Sequence, residues 1–132
     1  MKIKTTTLLF LFIIGFSLVS CIGEAKPEGT VTVAELLQNP VYDTEVRIYG
    51  EVRGIGELAC TCFPLASGGE TVLVWYDTMV ENDGTLQPAA SVEGINKGDE
   101  IIVTGELKGE GGIHYSKGDF WAKVIVLPLQ GN

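Results

Sequence analysis

The sequence predicts an all-β fold, a small closed barrel of five strands preceded by one short helix. Three observations predict it. Apolar and polar residues alternate with a period of two through most of the chain beyond residue 45, the mark of half-buried strands. Seventeen glycines in 132 residues argue against a helical bundle. One of them, Gly50, interrupts the first alternating run, where a barrel strand turns a corner. The length allows a single domain, and 45% hydrophobic content excludes a disordered polar chain.

The first twenty residues are expected to lie outside that domain. Lys2 and Lys4 form a positive start, and an apolar run from Leu8 to Val19 comes after them, as in a secretory signal. The run has twelve residues, short of the roughly 20 that a spanning helix needs. Leu18-Val19-Ser20-Cys21 then resembles the lipobox of prokaryotic lipoproteins, in which the Cys thiol receives diacylglycerol before cleavage. That resemblance implies a signal peptide over 1–20 and a lipidated Cys21. Two acyl chains of ~15 CH2 each bound the attachment at ~20 kcal/mol. The mature protein would be anchored to a membrane on its extracytoplasmic face.

Residues 21–31 read as the lipidated Cys and a polar tether with Pro27, and the domain is expected from Thr32 to Asn132. Thr32-Val33-Ala34-Glu35 fits a capping box, Thr at N-cap and Glu at N3. The helix should run Val33 to Gln38 and stop before Asn39-Pro40. Val46, Ile48, Gly50 and Val52 then alternate with Arg47, Tyr49, Glu51 and Arg53 in a first strand. Leu58 to Leu65 is the second strand, Thr71 to Tyr76 the third, and Glu100 to Leu107 the fourth. In the fifth, Phe120, Ala122, Val124 and Val126 alternate with Trp121, Lys123 and Ile125. The insert Thr78 to Asp99 reads as loop with one helical turn.

Five short strands with a long connection between the third and fourth describe the Greek-key barrel of the OB-fold. The order of elements resembles OB-fold families of exported prokaryotic proteins. The residues carrying the resemblance are Val33 to Pro40, Val46 to Val52, and Gly98-Asp99-Glu100-Ile101-Ile102-Val103-Thr104-Gly105-Glu106-Leu107. Nucleic-acid-binding and tRNA-anticodon-like OB barrels share this pattern, and so does the haem chaperone of cytochrome c maturation. That chaperone family holds haem through a His or Cys beyond the last strand, with a Tyr nearby. Val126 to Asn132 contains none of these, and His114-Tyr115 precedes the fifth strand. The resemblance therefore extends to the barrel and not to haem.

Cys60-Thr61-Cys62 is the most informative local motif. Taking Gly68-Gly69 as a two-residue turn pairs Phe63 with Val74 and Leu65 with Val72, facing inward. Cys62 then faces Trp75, Cys60 faces Asp77 and Pro64 faces Leu73, all on the outer surface of strands two and three. That surface is the usual ligand platform of the fold, so Cys60, Cys62, Trp75 and Asp77 are the candidate ligand-binding residues. Three readings of the cysteine pair stand side by side. It is a packing or structural pair, a soft-metal site for Cu(I) or Zn(II), or a thiol-redox centre. On an extended strand their Cα atoms would lie ~6.6–7 Å apart, near the limit for a disulfide.

Charge narrows the partners. Lys2 and Lys4 fall in the leader, so the mature chain keeps seven basic and seventeen acidic side chains, net −10. Arg47, Arg53, Lys108 and Lys123 are scattered, whereas phosphate binding needs clustered bases. Nucleic acid is thus disfavoured as a partner. No P-loop, dinucleotide glycine motif or Ser/His/Asp grouping points to an enzyme or names a cofactor. The expectation is a membrane-anchored binding module for an unidentified protein or small molecule, with the thiol or metal role as the alternative.

Overall fold

The computed structural model describes residues 26–81, 83–109 and 118–128. The leader, Cys21 and the His114-Tyr115 segment lie outside the described residues. The elements are β1 (Val31–Thr32), α1 (Val33–Gln38), β2 (Glu45–Val52), β3 (Cys62–Ser67), β4 (Glu70–Trp75), β5 (Met79–Val80), β6 (Leu86–Gln87), β7 (Glu100–Leu107) and β8 (Phe120–Val126).

Helix α1 starts where the capping box places it. Thr32 Oγ1 accepts the Glu35 N–H at 3.1 Å, and Glu35 Oε1 accepts the Thr32 N–H at 2.9 Å. Two of the helix's orphan donors are thereby satisfied. A third, the Val33 N–H, donates to Ser67 Oγ at 2.8 Å. Ser67 in turn donates to the Tyr49 carbonyl at 2.5 Å. One buried hydroxyl thus ties α1 to the end of β3 and the middle of β2. Val33 and Leu36 point into the barrel and close one end of its core.

The five long strands close as predicted. The sheet runs β1-β2-β3-β4-β8-β7, and β7 returns to pair with β2. The β3–β4 hairpin has the expected register, Cys62 to Trp75, Phe63 to Val74 and Leu65 to Val72. Its turn glycines have φ of 66° and 85°, as a type I′ turn requires. Ile48, Val52, Phe63, Leu65, Val74, Ile101, Val103 and Phe120 fill the interior with no measurable exposure. Burying each such side chain contributes roughly 1.5–3 kcal/mol. Residues Ala90 and Ile95 of the long insert join this core.

Three details differ from the sequence reading. Residues 58–61 are bends and not strand, so β3 begins at Cys62. The Cα atoms of Cys60 and Cys62 are 5.2 Å apart and their sulfurs are bonded, a spacing that an extended strand does not reach. The insert holds the β5–β6 hairpin, Met79 paired with Gln87, in place of a helical turn. Gln87 Nε2 reaches the Ala122 carbonyl at 3.4 Å.

The third difference lies in β8. Thr104 pairs with Val124, but Gly105 pairs with Ala122. Lys123 is therefore the extra residue of a β-bulge, and the alternation switches faces there. Phe120 and Ala122 point inward, Ile125 packs against the core, and Val124 and Val126 turn out to solvent. A Cβ on Gly105 would stand 2.0 Å from the Trp121 carbonyl oxygen and 2.8 Å from the Phe120 ring. Only a glycine lets β8 come this close. Gly105→Ala should therefore cost about 3 kcal/mol or more by forcing the two strands apart. Urea unfolding measures this, and a loss below about 1 kcal/mol would show that the contact yields freely.

Candidate functional site

The outer face of β2, β3 and β4 is built from two lateral rows. In the first, Cys62, Trp75, Trp121 and Glu106 are successive cross-strand partners on β3, β4, β8 and β7. In the second, Thr71, Ala66, Glu51 and Glu100 succeed one another on β4, β3, β2 and β7. Pro64 and Leu73 pair between the rows and are half-buried.

The candidate residues separate when placed on this frame. Trp75 lies on the outer face, half-buried, with its indole stacked on Trp121 at a centroid distance of 5.3 Å and an angle of 8°. Its Nε1–H donates to Asp119 Oδ2 at 2.8 Å. The ring is fixed by both contacts, and one of its two faces is already taken. Asp77 is exposed, and its Oδ1 accepts the Thr78 N–H at 2.7 Å. Cys60 has left the strand and does not face Asp77. Cys62 is 1% exposed, so a sulfur expected at the surface is covered. Bonded to each other, the two sulfurs offer no thiolate to a metal. No group of three or more His, Cys, Asp or Glu suited to a metal occurs among the described residues.

The second row holds what the sequence reading missed. A cleft of about 630 Å³ opens over it, lined by Glu51, Arg53, Ala66, Thr71 and Glu100, with Tyr49 at its base. Beneath it β2 and β3 run close together at Gly50, where a Cβ would meet the Ala66 carbonyl at 2.8 Å and Leu65 Cγ at 2.9 Å. Glu51 and Glu100 oppose each other directly across β2 and β7. Arg53 reaches Glu51 at 3.3 Å. The available signal was the outward period of Glu51 and Arg53 around Gly50, together with the small Ala66.

Beyond Trp121 the first row ends in an ion network. Lys123 reaches Glu106 at 3.0 Å and Glu45 at 3.3 Å, and the buried Lys108 reaches Glu106 at 3.4 Å. Burial alone would raise the Glu106 carboxyl, but the Lys123 hydrogen bond and the two ammonium charges hold it below the usual carboxylate range. The hydrogen bond to Glu106 pushes the Lys123 ammonium above its usual value, against a smaller opposing effect of burial.

No family model matches the chain, and no curated protein does. Solved structures do share its fold. The telomere capping protein Ten1 from Saccharomyces pombe is 15% identical, with 80% of this chain and 86% of that chain covered and a TM-score of 0.49. A chain of the S. pombe Stn1–Ten1 complex is 14% identical, with 83% and 84% covered and a TM-score of 0.50. The hypothetical protein YgiW from E. coli is 16% identical, with 80% and 98% covered and a TM-score of 0.47. At these identities the likeness is one of fold. The chain is an OB-fold barrel with one short helix.

Two measurements test the ties at either end of the first row. The bond between Cys60 and Cys62 closes a loop of three residues, so the double Ala variant should lose only about 1.5–3 kcal/mol and keep its fold. Unfolding above about 5 kcal/mol of loss would show a wider structural role. The Glu106–Lys123 pair should stabilise the fold between the carboxylate and ammonium ranges. The Glu106 part is fully present above the unfolded carboxylate pKa and is lost as pH falls through its lowered folded value. The Lys123 part is fully present below the unfolded lysine pKa and is lost as pH rises through its raised folded value. Melting temperatures across pH, compared with Lys123→Met, check both limbs.

Proposed function

We propose that this chain is a lipid-anchored, extracytoplasmic OB-fold module that binds its ligand across the outer face of β2, β3 and β4. The observation that carries the reading is the cleft between Glu51, Arg53, Thr71 and Glu100, on the same sheet face as the fixed indole of Trp75. Clefts with a few convergent polar groups are where ligands bind. The leader and the lipobox-like Leu18-Val19-Ser20-Cys21 support the location. A bonded cysteine pair agrees with it, since disulfides persist in oxidising compartments.

The telomere-capping neighbours raise nucleic acid as a ligand by analogy of fold. The charge of this chain opposes it, because the platform presents carboxylates where a phosphate backbone needs bases. Binding here should be indifferent to oligonucleotides.

The test has two arms. Cys21→Ser should move the protein from the membrane to the soluble fraction; retention there contradicts the lipid anchor. Amide shifts from a screen of small polar molecules and peptides should cluster on 51–53, 65–66 and 71–75. Shifts that gather instead on the outer side of β7 and β8 would place the ligand elsewhere.

A further inference from the structure

We propose that the platform receives an extended polypeptide segment carrying a lysine or arginine side chain, with apolar side chains after it. The proposal rests on the outer face of β2, β3 and β4 being the ligand site, and adds the chemistry of the ligand.

Shape, charge and order of side chains point the same way. The cleft of about 630 Å³ is lined on β3 by the small side chain of Ala66, so it has room for a long side chain from outside. Its walls are unbalanced. Glu51 and Glu100 are direct partners in an antiparallel pair, an arrangement of like charges that destabilises a sheet unless a cation lies beside it. Arg53 is the one base lining the cleft among the described residues, and it is more than half exposed on Glu51. A second cation placed against Glu100 would complete the set. With a formal net charge of −8, the whole molecule favours the approach of basic partners and repels polyanions.

The neighbouring rows specify the side chains beyond the cation. Next to the cleft lie Pro64 and Leu73, both half-buried, and further along is Trp75. Rows two residues apart along a strand are separated by ~6.6–7 Å. Alternate side chains of an extended peptide have the same spacing. A segment laid along β3 would therefore place a basic side chain in the cleft. Its next two inward side chains would meet the Pro64–Leu73 step and then the indole. This is an acidic pocket continued by an apolar shelf, and a nucleic acid strand would set its phosphates against Glu51 and Glu100.

The experiment uses the full chain in detergent, titrated with a blocked Lys-Ser-Leu-Ser-Leu-Ser peptide, its Glu-for-Lys counterpart, spermidine and oligothymidine. Amide shifts and tryptophan fluorescence are the readouts. The lysine peptide should bind, and its affinity should fall as salt rises from about 20 to about 300 mM. Glu51→Gln with Glu100→Gln should raise its Kd roughly tenfold while the melting temperature holds or rises as the like-charge pair is removed. Equal binding of the Glu counterpart, equal binding of spermidine, tighter binding of oligothymidine, or an unaffected double variant would each overturn the proposal. If one of those other probes shifts the Leu73 and Trp75 amides, the ligand face survives and the basic peptide does not. If no probe shifts that face, both readings fall.

Discussion

The closeness of β8 to β7 at Gly105 is the constraint on which the rest of the barrel depends. A barrel closes only if its strands coil enough to bring the first and last together. Here the coil is concentrated where Gly105 meets the Trp121 backbone and Lys123 is squeezed out as a bulge. The bulge has two consequences. It sends Phe120 and Ala122 into the core while Val124 and Val126 turn outward. It also frees Lys123 from the ladder, and its ammonium then bridges Glu106 and Glu45 on two further strands. Gly50 plays the matching part on β2, letting that strand approach the Ala66 carbonyl closely. The two glycines sit in similar alternating runs, and each marks the point where a side chain would have kept two backbones apart.

The parts of the fold that were legible in the sequence are those fixed by local chemistry. Thr32 and Glu35 define the helix start through bonds three residues long. Gly68-Gly69 sets the turn, and the turn sets every pair of the β3–β4 hairpin. The bulge was not legible because Val124, Ile125 and Val126 are all apolar, so the pattern fits either face. The β5–β6 hairpin was hidden for a different reason. Its strands are two residues each, too short for any period to show.

The same division runs through the site. The face was readable, since the hairpin register alone puts Cys62, Pro64, Trp75 and Leu73 on one side. Its surroundings were not. Trp75 is half-buried because Trp121 stacks on it across a parallel pairing of β4 with β8. No local rule reveals that partner, 46 residues away in the chain. The cleft likewise needs Glu51 and Glu100 to meet across β2 and β7, so it appears only when the barrel closes. Cys60 and Cys62 were the conspicuous residues, yet their sulfurs sit at the edge of the platform and not in the cleft.

Charge is sorted over the molecule in a way that its net value does not reveal. Lys108 and Lys123 are both committed to Glu106, with Asp43 at 3.8 Å from Lys108 and Glu45 at 3.3 Å from Lys123. Lys26 is paired with Glu35 at the helix start. These bases neutralise acids away from the platform, and Arg53 is what remains to line the cleft. The surface pair Lys26–Glu35 contributes little to stability, so its placement is weakly constrained by folding. The effect of the pairs on the surface potential is larger, because each one cancels the charge of a base. The acidic face thus arises from where a few side chains point, on a backbone that carries no preference of its own.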